Sequence, residues 1–201
     1  MKTVAKKVST ETEIVCSADN KNTYLLIKRL VGVKGDSATI ILLYPTRNQD
    51  NLFSEDSTLN HLINHMQELG LNELRVINLF SQVVEGKLSA KGLTVDVENL
   101  QYIDTLMADK SFKDNKFIIA WGSSMATSYA CNKAKTEVLT LFRKHCPRTK
   151  AYQIVSSNLD INVSFAHPLF LGIRSGGCKW LLNEISITSK MLSFPEKSQK
   201  E

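Results

Sequence analysis

The stretch FAHPLFLG sets His167 directly before Pro168, between apolar runs. The proline fixes its own φ near −65° and biases the histidine toward an extended backbone. An imidazole with one donor and one acceptor is thereby aimed in a defined direction. Such a ring either contacts a ligand or caps a backbone group of its own loop. A second polar group lies in VINLFSQ, where Asn78 interrupts Val76, Ile77, Leu79 and Phe80. A buried carboxamide without partners costs on the order of a few kcal/mol. Asn78 therefore either holds a neighbouring loop or reads the polar edge of a planar ligand such as a base.

Other candidates flank these two. YPTRNQD places Tyr44, Pro45, Thr46, Arg47 and Asp50 ahead of Phe53, in a polar loop of the length that often carries function. Asp56 or Ser57 is the expected N-cap of the helix that follows, with Thr58 in its first turn. The free N–H groups of that helix start form a potential anion site, although Asp56 opposes a phosphate there. In AWGSSMA, Gly122 suits a tight strand-to-helix turn beside Trp121, with Ser123 or Ser124 as N-cap. No G-x-S-x-G elbow is present, and no acid–histidine order that would complete a triad, so these serines are caps rather than nucleophiles. The cysteines (Cys16, Cys131, Cys146 and Cys178) show neither a CxxC pair nor zinc-ligand spacing. No metal or cofactor is expected. Cys131 and Cys178 are read as helix positions holding free thiols.

The elements that must position these residues alternate along the chain. Apolar, β-branched runs at TYLLIKRLV, SATIILLY, ELRVINLF, KFIIAWG and AYQIVS predict strands. DSTLNHLINHMQELG, DVENLQYIDTLMADK and SSMATSYACNKAKTEVLTLFRKH predict helices, ended by Gly70 in the first case and Pro147 in the last. Asp96 is the expected cap of the second. GCKWLLNEIS is expected to close the chain with a short helix. This alternation predicts an α/β fold, a three-layer α/β/α sandwich with a mostly parallel central sheet. Ligands of such sheets bind outside the carboxyl ends of the strands, which singles out the loops after Tyr44, Ile77, Ala120 and Val155. Residues 1–22 are polar, with only EIVCS as a short strand, and are expected to be flexible. Residues 23–192 are expected to form one domain, and residues 193–201 a charged tail.

Composition narrows the function. The chain has 201 residues, 43% hydrophobic and 22% charged, with a net charge of +5. This is ordinary for a globular protein, with a mild basic bias that suits a polyanionic partner. No apolar run is long enough for a membrane span and no secretory h-region opens the chain, so a cytoplasmic protein without membrane contact is expected.

Taken in order, ILLYPTRNQDN, EDSTLNHLINHMQELG, NELRVINLFSQ, KFIIAWG and SFAHPLFLG resemble the bacterial and phage domain-of-unknown-function 1643 family (DUF1643). The resemblance spans about residues 23–172. The matching positions are Pro45, Asp56, Thr58, Gly70, Asn78-Leu79-Phe80, Ala120-Trp121-Gly122 and His167-Pro168-Leu169. More distantly, the motif order resembles the uracil-DNA glycosylase superfamily. That resemblance implies a base-binding pocket, with Asn78 as base reader and His167 as the electrostatic group, the two candidate catalytic residues. Tyr44, Pro45, Thr46, Phe53, Asp56, Thr58, Trp121, Gly122 and Pro168 complete the candidate ligand site. The superfamily's water-positioning residue precedes the loop proline, where this chain has Tyr44, a poor general base at neutral pH. Asp50 or Asp56 is the available substitute. The resemblance implies DNA or a nucleotide base as partner. Glycosylase action on a modified base, non-catalytic base or DNA binding, and an enzyme acting on a free nucleotide all remain open at this level.

Overall fold

The computed structural model describes residues 3–5, 7–46, 55–84, 86–158 and 163–193. Seven strands form one sheet: β1 (Ser9–Cys16), β2 (Thr23–Val31), β3 (Asp36–Leu42), β4 (Leu71–Asn78), β5 (Lys116–Ile119), β6 (Ala151–Ser156) and β7 (Trp180–Ile185), in the order β1-β2-β4-β3-β5-β6-β7. The four middle strands, β4, β3, β5 and β6, run parallel. Parallel neighbours need a crossover. It is supplied by α1 (Ser57–His65) between β3 and β4, by α2 (Val97–Ala108) and α3 (Lys110–Lys113) before β5, and by α4 (Tyr129–His145) before β6. α5 (Pro168–Arg174) precedes β7, and α6 (Ser189–Leu192) follows it.

The parallel strands are buried on both faces, and their side chains alternate between two cores. Ala38, Ile40 and Leu42 of β3 pack with Leu59, Leu62 and Met66 around α1 and with Leu171 of α5. Their neighbour Ile41 turns to the other face, against Ile103 and Met107 of α2 and Val138 and Phe142 of α4. Full burial of one such isoleucine is worth about 1.5–3 kcal/mol. A continuous apolar run in the sequence therefore marks a strand covered on both sides.

Several expectations are corrected. The sheet is mixed rather than mostly parallel, because β1–β2, β2–β4 and β6–β7 pair antiparallel. GCKWLLNEIS is not a helix. Trp180 and Leu182 face one core and Ile185 the other, a two-residue period, and the backbone pairs with β6 from Ala151↔Ile185 to Ser156↔Trp180. Cys178 accordingly sits in the turn before β7, its N–H donating to the Ser175 carbonyl at 2.9 Å. β1 begins at Ser9, ahead of the EIVCS stretch. The long helix starts at Tyr129, capped by Ser128, which accepts from Cys131 N at 3.3 Å. Ser123 and Ser124 do not cap it: Gly122 and Met125, at φ +72° and +65°, fold the intervening residues into turns. The histidine segment is itself the start of a helix, with Pro168 in its first turn, where the missing N–H and the fixed φ are harmless.

Candidate functional site

The site is assembled where strands end. Beyond β3, the carbonyls of Leu42 and Leu43 accept from Leu79 N and Phe80 N at 3.0 and 3.1 Å, and the Ile41 carbonyl accepts from Ala120 N at 3.0 Å. The ends of β3, β4 and β5 are thus held in register as they leave the sheet. The chain after β3 then carries Tyr44, Pro45 and Thr46. Pro45 is buried, and its carbonyl accepts from Val84 N at 3.1 Å. The Tyr44 hydroxyl donates to the Gly86 carbonyl at 3.4 Å. Arg47, Asp50 and Phe53 lie outside the described residues.

Asp56 caps α1. Its Oδ1 accepts from Leu59 N at 2.8 Å, and its Oδ2 accepts from the Thr46 hydroxyl. Both carboxylate oxygens are therefore engaged, one tying the post-β3 chain to the helix start.

Asn78 ends β4 and is 4% exposed. Its main-chain carbonyl accepts from Asn99 Nδ2 at 2.8 Å, while its side-chain Oδ1 is buried with no partner among the described residues. Asn99 is set by Asp96, the N-cap of α2, whose Oδ1 accepts from Asn99 N at 3.0 Å. The other Asp96 oxygen accepts from the backbone N–H and hydroxyl of Ser81 at 2.8 and 2.7 Å. The first turn of α2 thereby fixes the backbone on which Asn78 rides and leaves its side-chain acceptor unused. Buried acceptors without partners are rare, and each calls for an explanation.

After β5, Trp121 packs against Phe165 with ring centroids 5.7 Å apart, and Lys135 Nζ lies 5.6 Å from the Trp121 ring. Gly122 N donates to the Phe165 carbonyl at 2.9 Å. Gly122 has φ +72°, and a Cβ there would come within 3.0 Å of His167 Cβ. Backbone conformation and close approach both require glycine.

His167 is the N-cap of α5, its Nδ1 accepting from Leu169 N at 3.3 Å. Burial pushes its pKa down to about 4, against the opposing pull of the Asp56 carboxylate. The ring is therefore neutral at pH 7. With Nδ1 committed as an acceptor, the proton sits on Nε2. The cap is also the mundane role open to this residue from the sequence: the same ring holds its own helix and retains one N–H to offer.

A cavity of about 620 Å³ joins these groups. Tyr44, Pro45, Thr46, Asp56, Thr58, Asn78, Trp121 and His167 all line it. Gly122 packs behind His167, and Pro168 is buried in the first turn of α5. The lining also includes Thr23, Lys87, Leu88, Ser124 and Met125, of which only Ser124 carries a signal in the sequence, and that signal is for a helix cap. Nothing local marks Lys87 or Thr23. Asn99, which holds Asn78 from behind, is detectable only as the residue three past the predicted Asp96 cap. The wall is mainly apolar, from Leu26, Leu42, Leu59, Val76 and Leu169 among others. Among the described residues no cluster of three or more histidine, cysteine or acidic side chains is arranged to hold a metal.

The position of the cavity follows from strand order. β3 and β5 are neighbours, yet β3 leads into α1 on one face and β5 into α4 on the other. Their loops diverge and leave a crevice at the carboxyl ends, the usual ligand position in open α/β sheets. These features define an α/β protein with a preformed polar-studded pocket at a topological switch point. The chain belongs to the DUF1643 family, described as proteins of unknown function, whose family model matches residues 24–169. No curated protein matches. Among solved structures it is similar to the S954A mutant of the feruloyl esterase module from Clostridium thermocellum complexed with sinapinate. The identity is 12%, over 69% of this chain and 51% of that one, with a TM-score of 0.29. The chain thus spans about half of that structure's length, and the likeness is too slight to carry an argument about fold or chemistry. Among the described residues no helix is long and apolar enough to cross a membrane.

Proposed function

We propose that the cavity binds a planar, base-like heterocycle, in an arrangement resembling that of uracil-DNA glycosylases. One observation carries this reading: Asn78, whose buried Oδ1 has no partner among the described residues, and the neutral His167 line one largely apolar cavity. An acceptor and a donor in a low-dielectric wall suit the polar edge of a base, and aromatic and aliphatic side chains suit its faces. The volume falls within the range of small-molecule sites, about 300–1,000 Å³.

Binding is favoured over hydrolysis. Tyr44 stands where a water-positioning group is expected, with its hydroxyl turned to the Gly86 carbonyl. Of the two candidate carboxylates, the one among the described residues, Asp56, already accepts from Leu59 N and Thr46. A base that must accept a proton from water is poorly served by a carboxylate occupied on both oxygens.

Calorimetric titration with nucleosides and with short DNA tests this, alongside Asn78→Ala. The expected result is saturable binding that falls at least tenfold in the variant while the fold is kept. A variant that melts earlier but binds as wild type would reduce Asn78 to a structural residue. Incubation with DNA bearing uracil or modified bases is expected to leave no abasic sites. Rapid base release would establish hydrolysis instead, with Asp50 and Asp56 as the groups to mutate next.

A further inference from the structure

The two charges of the cavity are opposite in sign but not equally engaged. Among the described residues two ionised side chains line it, Asp56 and Lys87. The Asp56 carboxylate is satisfied on both oxygens by the Thr46 hydroxyl and Leu59 N. His167 adds no positive charge, because burial keeps it neutral. Lys87, in contrast, has no hydrogen-bond acceptor and no ion-pair partner among the described residues. Its backbone is nevertheless not left loose, since the adjacent Gly86 carbonyl accepts from the Tyr44 hydroxyl at the end of β3. Among the described residues the cavity thus carries one ammonium without a direct partner, tethered at the same strand end as the base-reading groups. A bare base would also leave most of 620 Å³ empty.

We propose that the ligand is a phosphorylated nucleoside, its base against Asn78 and His167 and its phosphate on Lys87, either free or as one unit of a strand. This rests on the base-binding reading and adds the anion to it. An ammonium on a flexible stem is a point charge suited to a phosphate, and charge-assisted hydrogen bonds are the stronger kind. Lys87 is exposed, so water and salt moderate the attraction. The remaining cavity hydroxyls, from Thr58 and Ser124, offer polar partners for a sugar.

The test is calorimetry on the full chain and on Lys87→Gln. The probes are the four common ribonucleosides, their 5′-monophosphates, ribose 5-phosphate, and a five-nucleotide single-stranded DNA. For at least one base, the monophosphate should bind wild type about five- to tenfold more tightly than the nucleoside. Added salt should shrink that preference. Lys87→Gln should erase it and leave nucleoside affinity unchanged. Binding of the DNA that weakens in Lys87→Gln assigns the phosphate to a strand, and weak DNA binding beside strong monophosphate binding assigns it to a free nucleotide. Equal affinities for nucleoside and monophosphate overturn the phosphate assignment while leaving the base reading intact. So does a Lys87→Gln variant that weakens both alike. Ribose 5-phosphate binding as tightly as the monophosphates refutes the base reading and keeps Lys87 as an anion contact. No binding of any probe overturns both.

Discussion

The neutral state of His167 has a thermodynamic consequence that can be measured without any ligand. The folded protein holds this imidazole near pKa 4, against an ordinary value of 6.5. The unfolded chain therefore binds more protons through the interval between them, and stability falls as the pH drops. The contribution is complete above about pH 6.5 and is lost progressively as the pH falls through that value toward 4. A tenfold difference in proton affinity between the folded and unfolded chain is worth about 1.4 kcal/mol, so the full interval corresponds to about 3 kcal/mol at most. By pH 5 roughly 2 kcal/mol of it should be gone. His167→Asn isolates the effect, because asparagine is a good N-cap and does not titrate. Urea unfolding of both proteins at pH 8 and pH 5 supplies the comparison. Wild type should lose roughly 2 kcal/mol more than the variant over that range, since every other group is common to both. Equal pH dependence would show that the ring is protonated or solvated in the fold. The depressed value also bears on the ligand. Affinity should stay flat from pH 8 to 6, with no gain from an imidazolium.

Three further outcomes follow from close contacts elsewhere. A Cβ at Gly172 would lie 2.3 Å from the His61 ring, so Gly172→Ala should cost about 1–3 kcal/mol by overpacking. Thermal melts should show the loss, and His61→Ala in the same chain should relieve most of it. Asn99→Ala leaves the Asn78 carbonyl unpaired and should lower stability by about 1–2 kcal/mol. It should also move the Asn78 side-chain amide signal in ¹⁵N-resolved spectra, and an unmoved signal would deny Asn99 a positioning role. Lys28 is buried, with Nζ donating to Thr12 Oγ1 at 2.5 Å and paired with Glu55 just before α1. Lys28→Met should destabilise by about 2 kcal/mol, below the fully buried range because Glu55 remains partly solvated. Adding Glu55→Gln should recover part of that loss in denaturant titrations.

The parts of the fold legible in the sequence are those where local pattern and tertiary role agree. TYLLIKRLV and AYQIVS are strands at the bounds their residue types suggest, and Asp96 caps the helix it precedes. Agreement fails where a short apolar run serves either period. WLLNE has the length of a strand and the composition of a helix, and the free edge of β6 decides between them. The start of α4 is misread from residue types because a serine after a glycine is a good cap only if the chain turns at once. Here Met125, in the left-handed region, delays the helix to Ser128. At the edge of the sheet, β1 is mostly exposed and polar, so no apolar pattern announces its full length.

The site is more legible than the strand directions, for a physical reason. A cavity at a switch point depends on which strands are parallel neighbours in the middle of the sheet. It is indifferent to antiparallel strands added at either edge. The mixed sheet therefore leaves intact the gathering of Tyr44, Asn78, Trp121 and His167, of which Asn78 ends a middle strand and the others follow one. What no strand-end argument could supply is the protonation state and the charge balance. Both are set by burial and by contacts distant in sequence. His167 is neutral because it is desolvated, not because proline follows it. Asn78 has a spare acceptor because Asn99, from a helix 21 residues on, gives its amide to the Asn78 main chain rather than to the side chain. Lys87 has no ion-pair partner among the described residues, and Asp56, the carboxylate of the same cavity, is held by Thr46 and the helix start. Motif order brings these residues to one cavity, and the second layer of contacts sets their protonation and hydrogen bonding.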